Sequence, residues 1–399
     1  MKTCRDRASV REFRRAGSLC LLSFWISACG GLLPAADGLA HDRPRVEPGI
    51  EYLHHRIGDG PSSIHVAKVD RSVARFQLVS TLAQDRVYGL ASVSEQVAAF
   101  RSARVRPVAA VNGDFFVIRT GPYQGDPLGL HIVQGELISS PTGTSFWIDG
   151  KSQPHIGQVA ARFRATGPNG FDITFGLNQD RGDDAAVLYT PTVGSSTRTG
   201  AGLELILERY GDGDWLPLRA GVSYHGRVVT LAEQGNIELA PGTMVLSIGP
   251  ILAQKLATPA PGDVISLDLA TLPDLTGATV AVGGGPILLD VGKSPEWSEP
   301  QPKHPRTALG WNDEQFFLVV VDGRQRDLSA GMTYPELASL MKRLGCEYAV
   351  NLDGGGSSTF WLDGHIMNSP SDGRERAVAN SLIVVSVEPN ETGEAMLNR

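Results

Sequence analysis

The apolar positions of this chain fall into short runs of strand length, broken by glycine, proline, asparagine and aspartate. The folded part starts near Ile50, behind the proline-containing stretch Asp42–Gly49, and Ile64–Asp70 and Arg75–Leu82 are its first long runs. Ser92 and Glu95 stand at capping-box spacing, and Val93, Val97 and Phe100 recur with helical period. That pattern predicts a helix leading into the strand Val105–Val111. From about Gly150 to Leu275 short β-like runs (Ala185–Tyr189, Leu203–Glu208, Val228–Leu231, Met244–Ile248, Val264–Leu269) alternate with turn clusters, and no long amphipathic helix intervenes. Further on, Phe316–Val321 reads as a buried strand. Thr333 and Glu336 form a second capping box with Pro335 in the first turn, Leu337, Leu340, Met341 and Leu344 make one apolar stripe, and Gly345 stops the helix. The strands Tyr348–Leu352, Thr359–Leu362 and Asn380–Val387 follow, with a hairpin signal at Asp363-Gly364. The expected fold is α+β: mixed twisted β-sheets with two principal helices and an all-β middle section at 150–275.

An internal echo accompanies this pattern. Ala110-Val111-Asn112 ends a strand that follows a helix, with Asp114 two residues on, and Ala349-Val350-Asn351 does the same, with Asp353 two residues on. Gly249-Pro250-Ile251-Leu252 and Gly285-Pro286-Ile287-Leu288 also match. The shared context predicts a pseudo-symmetric pair of units whose Asn-x-Asp loops face one cleft.

Composition narrows the function. The 399 residues are 42% hydrophobic, ample for a core, and the net charge of −7 comes without a long basic run. Binding to nucleic acid by counterion release is therefore not expected. Arg5, Arg7, Arg11, Arg14 and Arg15 precede the apolar run Leu19–Ala28, which is short for a membrane span and reads as a secretory signal over 1–40. Two cleavage readings stand side by side: a lipoprotein signal with lipidated Cys29, the one expected membrane attachment, or ordinary cleavage after Gly38-Leu39-Ala40. A linker and N-terminal extension at 41–63, a catalytic domain at 64–387 and a flexible tail at 388–399 complete the expected layout. Cys4 and Cys20 leave with the signal, so Cys346 is expected to be a buried, unpaired thiol.

The densest chemistry lies at Asn351-Leu352-Asp353-Gly354-Gly355-Gly356-Ser357-Ser358. Three glycines after a buried strand let the backbone approach a ligand closely, and the N–H groups with the two serine hydroxyls can hold an anionic oxygen. No Gly-Lys-Ser/Thr ending and no dinucleotide spacing are present, and a hairpin signal follows where a nucleotide loop needs a helix. The competing reading is a tight turn. Zinc is not expected, because no His-Glu-x-x-His or paired Cys/His set exists. Oxygen-rich loops leave room for a divalent cation such as calcium, although Asp212 and Asp214 read better as a polar hairpin tip. His54-His55 reads as a linker or strand-edge pair, and His304 as an acid, a phosphate contact or a surface residue.

Asn351–Thr359 resembles the signature of the phosphodiester glycosidase family. Val111-Asn112-Gly113-Asp114-Phe115-Phe116, Gly283-Gly284-Gly285-Pro286, Pro305–Gly310, Val321–Gln325 and Asn368–Arg376 stand in the family's order. The resemblance implies an exported hydrolase that cleaves a glycosyl-1-phosphodiester of glycan or exopolysaccharide type and needs no cofactor. It implies Asp353 as the first catalytic carboxylate, Asp114 as the second and Asp322 as the third, since carboxylates can stabilise an oxocarbenium-like state, attack it or activate water. Arg306, Arg374 and Arg376 become candidates to grip phosphate oxygens. Asn112, Thr307, Asn351, Gly354, Gly355, Gly356, Ser357 and Ser358 become substrate contacts. A phosphodiesterase that cuts P–O, and a non-catalytic glycan-binding lipoprotein, remain as alternative readings.

Overall fold

The computed structural model describes residues 46–56, 62–298 and 301–388. The expected signal at 1–40, the anchor at Cys29 and the tail beyond Glu388 lie outside the described residues. The stretch read as linker and extension, 41–63, contains the strand Ile50–His55, which pairs in register with Ile64–Asp70.

Two sheets stack on each other. One is six-stranded, in the order Ile50–His55, Ile64–Asp70, Gln315–Val321, Arg306–Trp311, Tyr348–Asn351 and Ile287–Leu289. The other is five-stranded, in the order His365–Ile366, Phe360–Leu362, Val105–Asn112, Ser381–Val387 and Phe76–Ser80. Ala67, Leu318, Val320 and Val350 from the first meet Val111, Phe360, Leu382 and Val384 from the second. The outer face of the six-stranded sheet is covered by the helix Tyr334–Leu344, whose Leu337, Ala338, Leu340 and Met341 pack on Phe317, Val319 and Ala349. The outer face of the five-stranded sheet is covered by the helix Val93–Phe100, whose Val93 and Val97 pack on Ala110, Ile383 and Val385. Both helices start in the expected capping boxes, and Gly345 ends the second in the left-handed conformation. Covering both faces explains why Phe316–Val321 and Ser381–Val387 are apolar runs and not alternating strands. Each fully buried aliphatic side chain there contributes roughly 1.5–3 kcal/mol.

The fold is α+β, and the helix–strand–loop units that echo in sequence are the two halves of this four-layer stack. The all-β middle has wider bounds than 150–275. Its sheet starts at His131–Val133, takes in the thirteen-residue strand Pro154–Thr166 and closes at Val280–Gly283, with a short helix, Pro250–Ala253, beside it. Its own core is built on Phe163, Leu205, Leu246 and Leu267. Asp212 and Asp214 sit in an exposed turn. Cys346 is buried and free, and burial pushes its thiol pKa up, so it stays protonated and inert. No helix among the described residues is long and apolar enough to cross a membrane.

Candidate active site

The two Asn-x-Asp loops interlock where the stacked sheets end. Asn112 is fully buried at the end of its strand; its Nδ2 donates to the Asp353 carbonyl at 2.7 Å, and its Oδ1 accepts from Thr307 Oγ1 at 2.7 Å and from the Thr359 amide at 3.2 Å. The Asp353 amide returns a bond to the Gly113 carbonyl at 3.0 Å. Asn351 donates from Nδ2 to the carbonyls of Gly285 and Leu352. Asn112, Thr307 and Asn351 were expected to touch substrate. In the structure they tie the loops together, and Ser358 is likewise buried, while Asn351 Oδ1 and Ser358 Oγ have no hydrogen-bond partner among the described residues.

Two carboxylates come out of this junction. Asp114 is 2% exposed; its Oδ1 accepts from the Phe115 amide and its Oδ2 from the Gly129 amide, both at 2.7 Å. Those two bonds favour the charged form, but burial outweighs them, and with the nearby Asp353 charge it pushes the carboxyl up to about 7. Asp353 is partly exposed at the surface of the junction. Its Oδ1 accepts from the Gly354 amide at 2.8 Å. Burial raises its pKa too, opposed by the Ser357 hydroxyl, the Gly354 amide and the Arg376 charge. A third acid was missed in the sequence: Asp126 is 6% exposed, with one carboxylate oxygen unpartnered. Burial and then the charges of Asp180 and Asp114 push it up to about 8.

The space around Asp114 is tight. A Cβ on Gly283 would lie 2.4 Å from Asp114 Oδ2 and 2.7 Å from Gly129 Cα. Gly283→Ala is therefore expected to cost roughly 1–3 kcal/mol through overpacking, read as a lowered urea midpoint. A midpoint equal to wild type would show that Asp114 has room to move.

Arginines flank the glycine loop, although not the set that was expected. Arg376 donates from Nη1 to Ser357 Oγ at 3.3 Å and pairs with Asp372 at 2.7 Å. A Cβ on Gly356 would fall 2.1 Å from Arg376 Nη2 and 2.2 Å from Asp372 Oδ2, so any side chain there displaces this ion pair. Arg324 lies over Gly355, with Nη2 3.0 Å from where a Cβ would be, and its Nη2 is 3.4 Å from His304 Nδ1. Burial, then Arg306 and Arg324, lower the His304 pKa. Arg306, the arginine singled out first, is 5% exposed. Its guanidinium donates to the carbonyls of Met332 and Pro302 and stacks 3.9 Å over the Tyr334 ring, so it braces the chain beneath the loop. Pro305 completes that brace by accepting from the Gly355 amide at 3.0 Å. Arg374 is exposed and lines a groove with Ser92, Glu95, Asp372, Glu375 and Arg376.

Asp322, the third expected carboxylate, is anchored by partners of its own. It is 1% exposed, and its oxygens are held by His65 Nε2 at 3.2 Å, Asn368 Nδ2 at 3.2 Å and the Ser369 amide at 2.8 Å. Arg324, His65 and Asn368 went unassigned in the sequence; Arg324 and Asn368 lie in runs that match family motifs, which is the one signal they gave. Among the described residues no group of three or more His, Cys, Asp or Glu side chains is placed to hold a metal ion.

Comparisons with known proteins find a partial family match and relatives of the same fold. Residues 221–385 match the phosphodiester glycosidase family model. Eighty-nine residues are 42% identical to the SPbeta prophage-derived uncharacterized protein YomE of Bacillus subtilis (strain 168), covering 22% of this chain and 14% of that protein. A hypothetical protein from Synechocystis shares the fold at a TM-score of 0.67 and 19% identity, over 87% of this chain and 64% of that one. A Burkholderia pseudomallei K96243 protein named for its predicted export shares it at 0.62 and 24% identity, over 82% and 74%. The chain thus spans less than two thirds of the first structure and a small part of the Bacillus protein. The matched residues 221–385, which hold the glycine loop, Arg324, Arg376 and Asp353, are where this chain is similar to the phosphodiester glycosidase family.

Proposed function

We propose that this protein hydrolyses a glycosyl-1-phosphodiester at the anomeric carbon. The observation that carries the reading is the meeting of Asp353 and Asp114 on interlocked loops, with Arg324 and Arg376 on the flanks of the same glycine loop. A phosphodiester carries one negative charge, and two guanidinium groups beside a flexible-backbone turn suit its oxygens. The sugar then lies toward Asp353. As the C–O bond breaks, positive charge grows on the anomeric carbon and ring oxygen, and the partly exposed Asp353 carboxylate stabilises it or attacks it. Asp114 sits behind and adds negative potential without touching the substrate. The departing phosphate monoester is a weak base, so little general-acid help is needed. The polar groove lined by Arg374 and Arg376 takes the leaving group, which favours a hydrophilic glycan over a lipid.

Action outside the cytoplasm fits the basic and apolar N-terminal pattern and the Burkholderia protein named for predicted export. Exopolysaccharide or wall glycan supplies substrates of this chemistry there. Hydrolysis in oxygen-18 water tests the bond cleaved. Label is expected in the released sugar; label in the phosphate would replace this reading with a P–O-cleaving phosphodiesterase.

A further inference from the structure

A chain of buried polar side chains runs from the first strand of the six-stranded sheet to the far arm of the glycine loop. Tyr52 Oη and His65 Nδ1 are 2.8 Å apart. Burial and then the Asp322 charge push the phenol up to about 12, so it stays protonated and donates to Nδ1. The imidazole proton then sits on Nε2, which faces Asp322 Oδ2 and Ser63 Oγ, both at 3.2 Å. The exposed His54 closes the edge of the cluster; its ring stacks on His65 at 4.4 Å with 10° between the planes, and its Nε2 is 3.0 Å from Ser63 Oγ. Beyond the carboxylate, Asn368 Nδ2 donates to Asp322 Oδ1 at 3.2 Å and to the Ser358 carbonyl at 3.0 Å, while its Oδ1 accepts from the Phe360 amide at 2.8 Å.

Charge makes this more than strand packing. Burying a carboxylate costs several kcal/mol unless donors surround it, and a neutral pair would hold the strands at less cost. An ionised Asp322 only accepts, so it compels Asn368 to point its NH2 group inward and its oxygen toward Phe360. That orientation places the Ser358–Phe360 arm. The other arm is fixed independently by Gly113 and Pro305, so the loop is held at both ends.

We infer that His65 is a positioning residue for the candidate active site, acting through Asp322 and Asn368 to set the Ser358–Phe360 arm of the glycine loop. The inference rests on the reading of that loop as the substrate wall, yet its structural half can be measured alone. Amide hydrogen exchange and steady-state kinetics on a glycosyl phosphodiester would be followed for wild type, His65→Ala, His65→Gln and Asn368→Ser. In His65→Ala and Asn368→Ser, exchange at Phe360 is expected to speed up by roughly tenfold, with the strand Ser381–Val387 unchanged. kcat is expected to fall by roughly tenfold with KM nearly constant, because a displaced loop costs alignment and not simple binding. His65→Gln, whose amide can still donate to Asp322, is expected to recover most of both. Unchanged exchange at Phe360, equal acceleration across the sheets, or Gln behaving like Ala would overturn the inference. If wild type turns over no sugar phosphodiester, the proposed function falls by itself and exchange at Phe360 still decides the role of His65. If His65→Ala does not fold, His65→Leu, which fills the space without a donor for Asp322, carries the test against His65→Gln.

Discussion

Asp353→Asn is expected to lower kcat by roughly 10²–10⁴-fold, with a smaller change in KM. The substitution removes the charge that faces the anomeric carbon while leaving the local bonds satisfiable. The Asn oxygen can still accept from the Gly354 amide, and the Ser357 hydroxyl can turn to accept from the new NH2 group. A folded but inactive protein is the expected product, checked by kinetics beside a thermal melt. Turnover within about threefold of wild type would remove Asp353 from the chemistry and leave the loop as a binding wall.

The second large effect is with pH. Asp114 ionises at about 7, so the potential it adds beside Asp353 is absent in acid. Turnover is expected to climb through neutrality as Asp114 ionises, and at about pH 5 to be roughly tenfold below its plateau, because the protonated form keeps the Asp353 charge and loses only the added potential. Because the two acids are coupled, the midpoint belongs to the pair. Stability moves in the opposite direction. The folded pKa of Asp114 lies above the unfolded value, so its favourable contribution is complete below about pH 4 and is lost as pH rises through about 7, a change of roughly 4 kcal/mol. Urea midpoints measured from acid to alkaline pH would read this against the background of the other groups. A rate that is flat between about pH 5 and 8 would show that the Asp114 charge does not reach the reaction.

The two effects have one origin. Packing Gly129 and Gly283 against Asp114 takes the carboxylate out of water, which the fold tolerates because two amides are aimed at it. The same arrangement that makes the charge costly keeps it strong, since solvent is kept from the Asp114 carboxylate itself.

Helix Tyr334–Leu344 could be read from the sequence almost to the residue, because its capping box, its apolar stripe and Gly345 are local signals. Helix Val93–Phe100 followed from the same logic. The echo of Asn112 and Asn351 was legible too, as repeated strand ends, and the two loops it marks are hydrogen-bonded to each other. Strands such as Pro154–Thr166 went unread, because an exposed sheet face mixes polar residues into the run and no turn marks its middle.

Roles depended on distance along the chain. Arg306 and Arg324 are similar residues in similar motifs, but only the packing of Tyr334 and the carbonyls of Met332 and Pro302 decide that one is buried as a brace and the other lies over Gly355. Asp322 and Asp353 both precede glycine; His65, 257 residues before Asp322, is what turns the first into a buried anchor. The sequence by itself determined where backbone must bend and which carboxylates were available, because turn chemistry and capping act within a few residues. Tertiary structure alone decided which of those carboxylates lost their water and which arginines kept a free face, because desolvation and long-range pairing are properties of the assembled sheets.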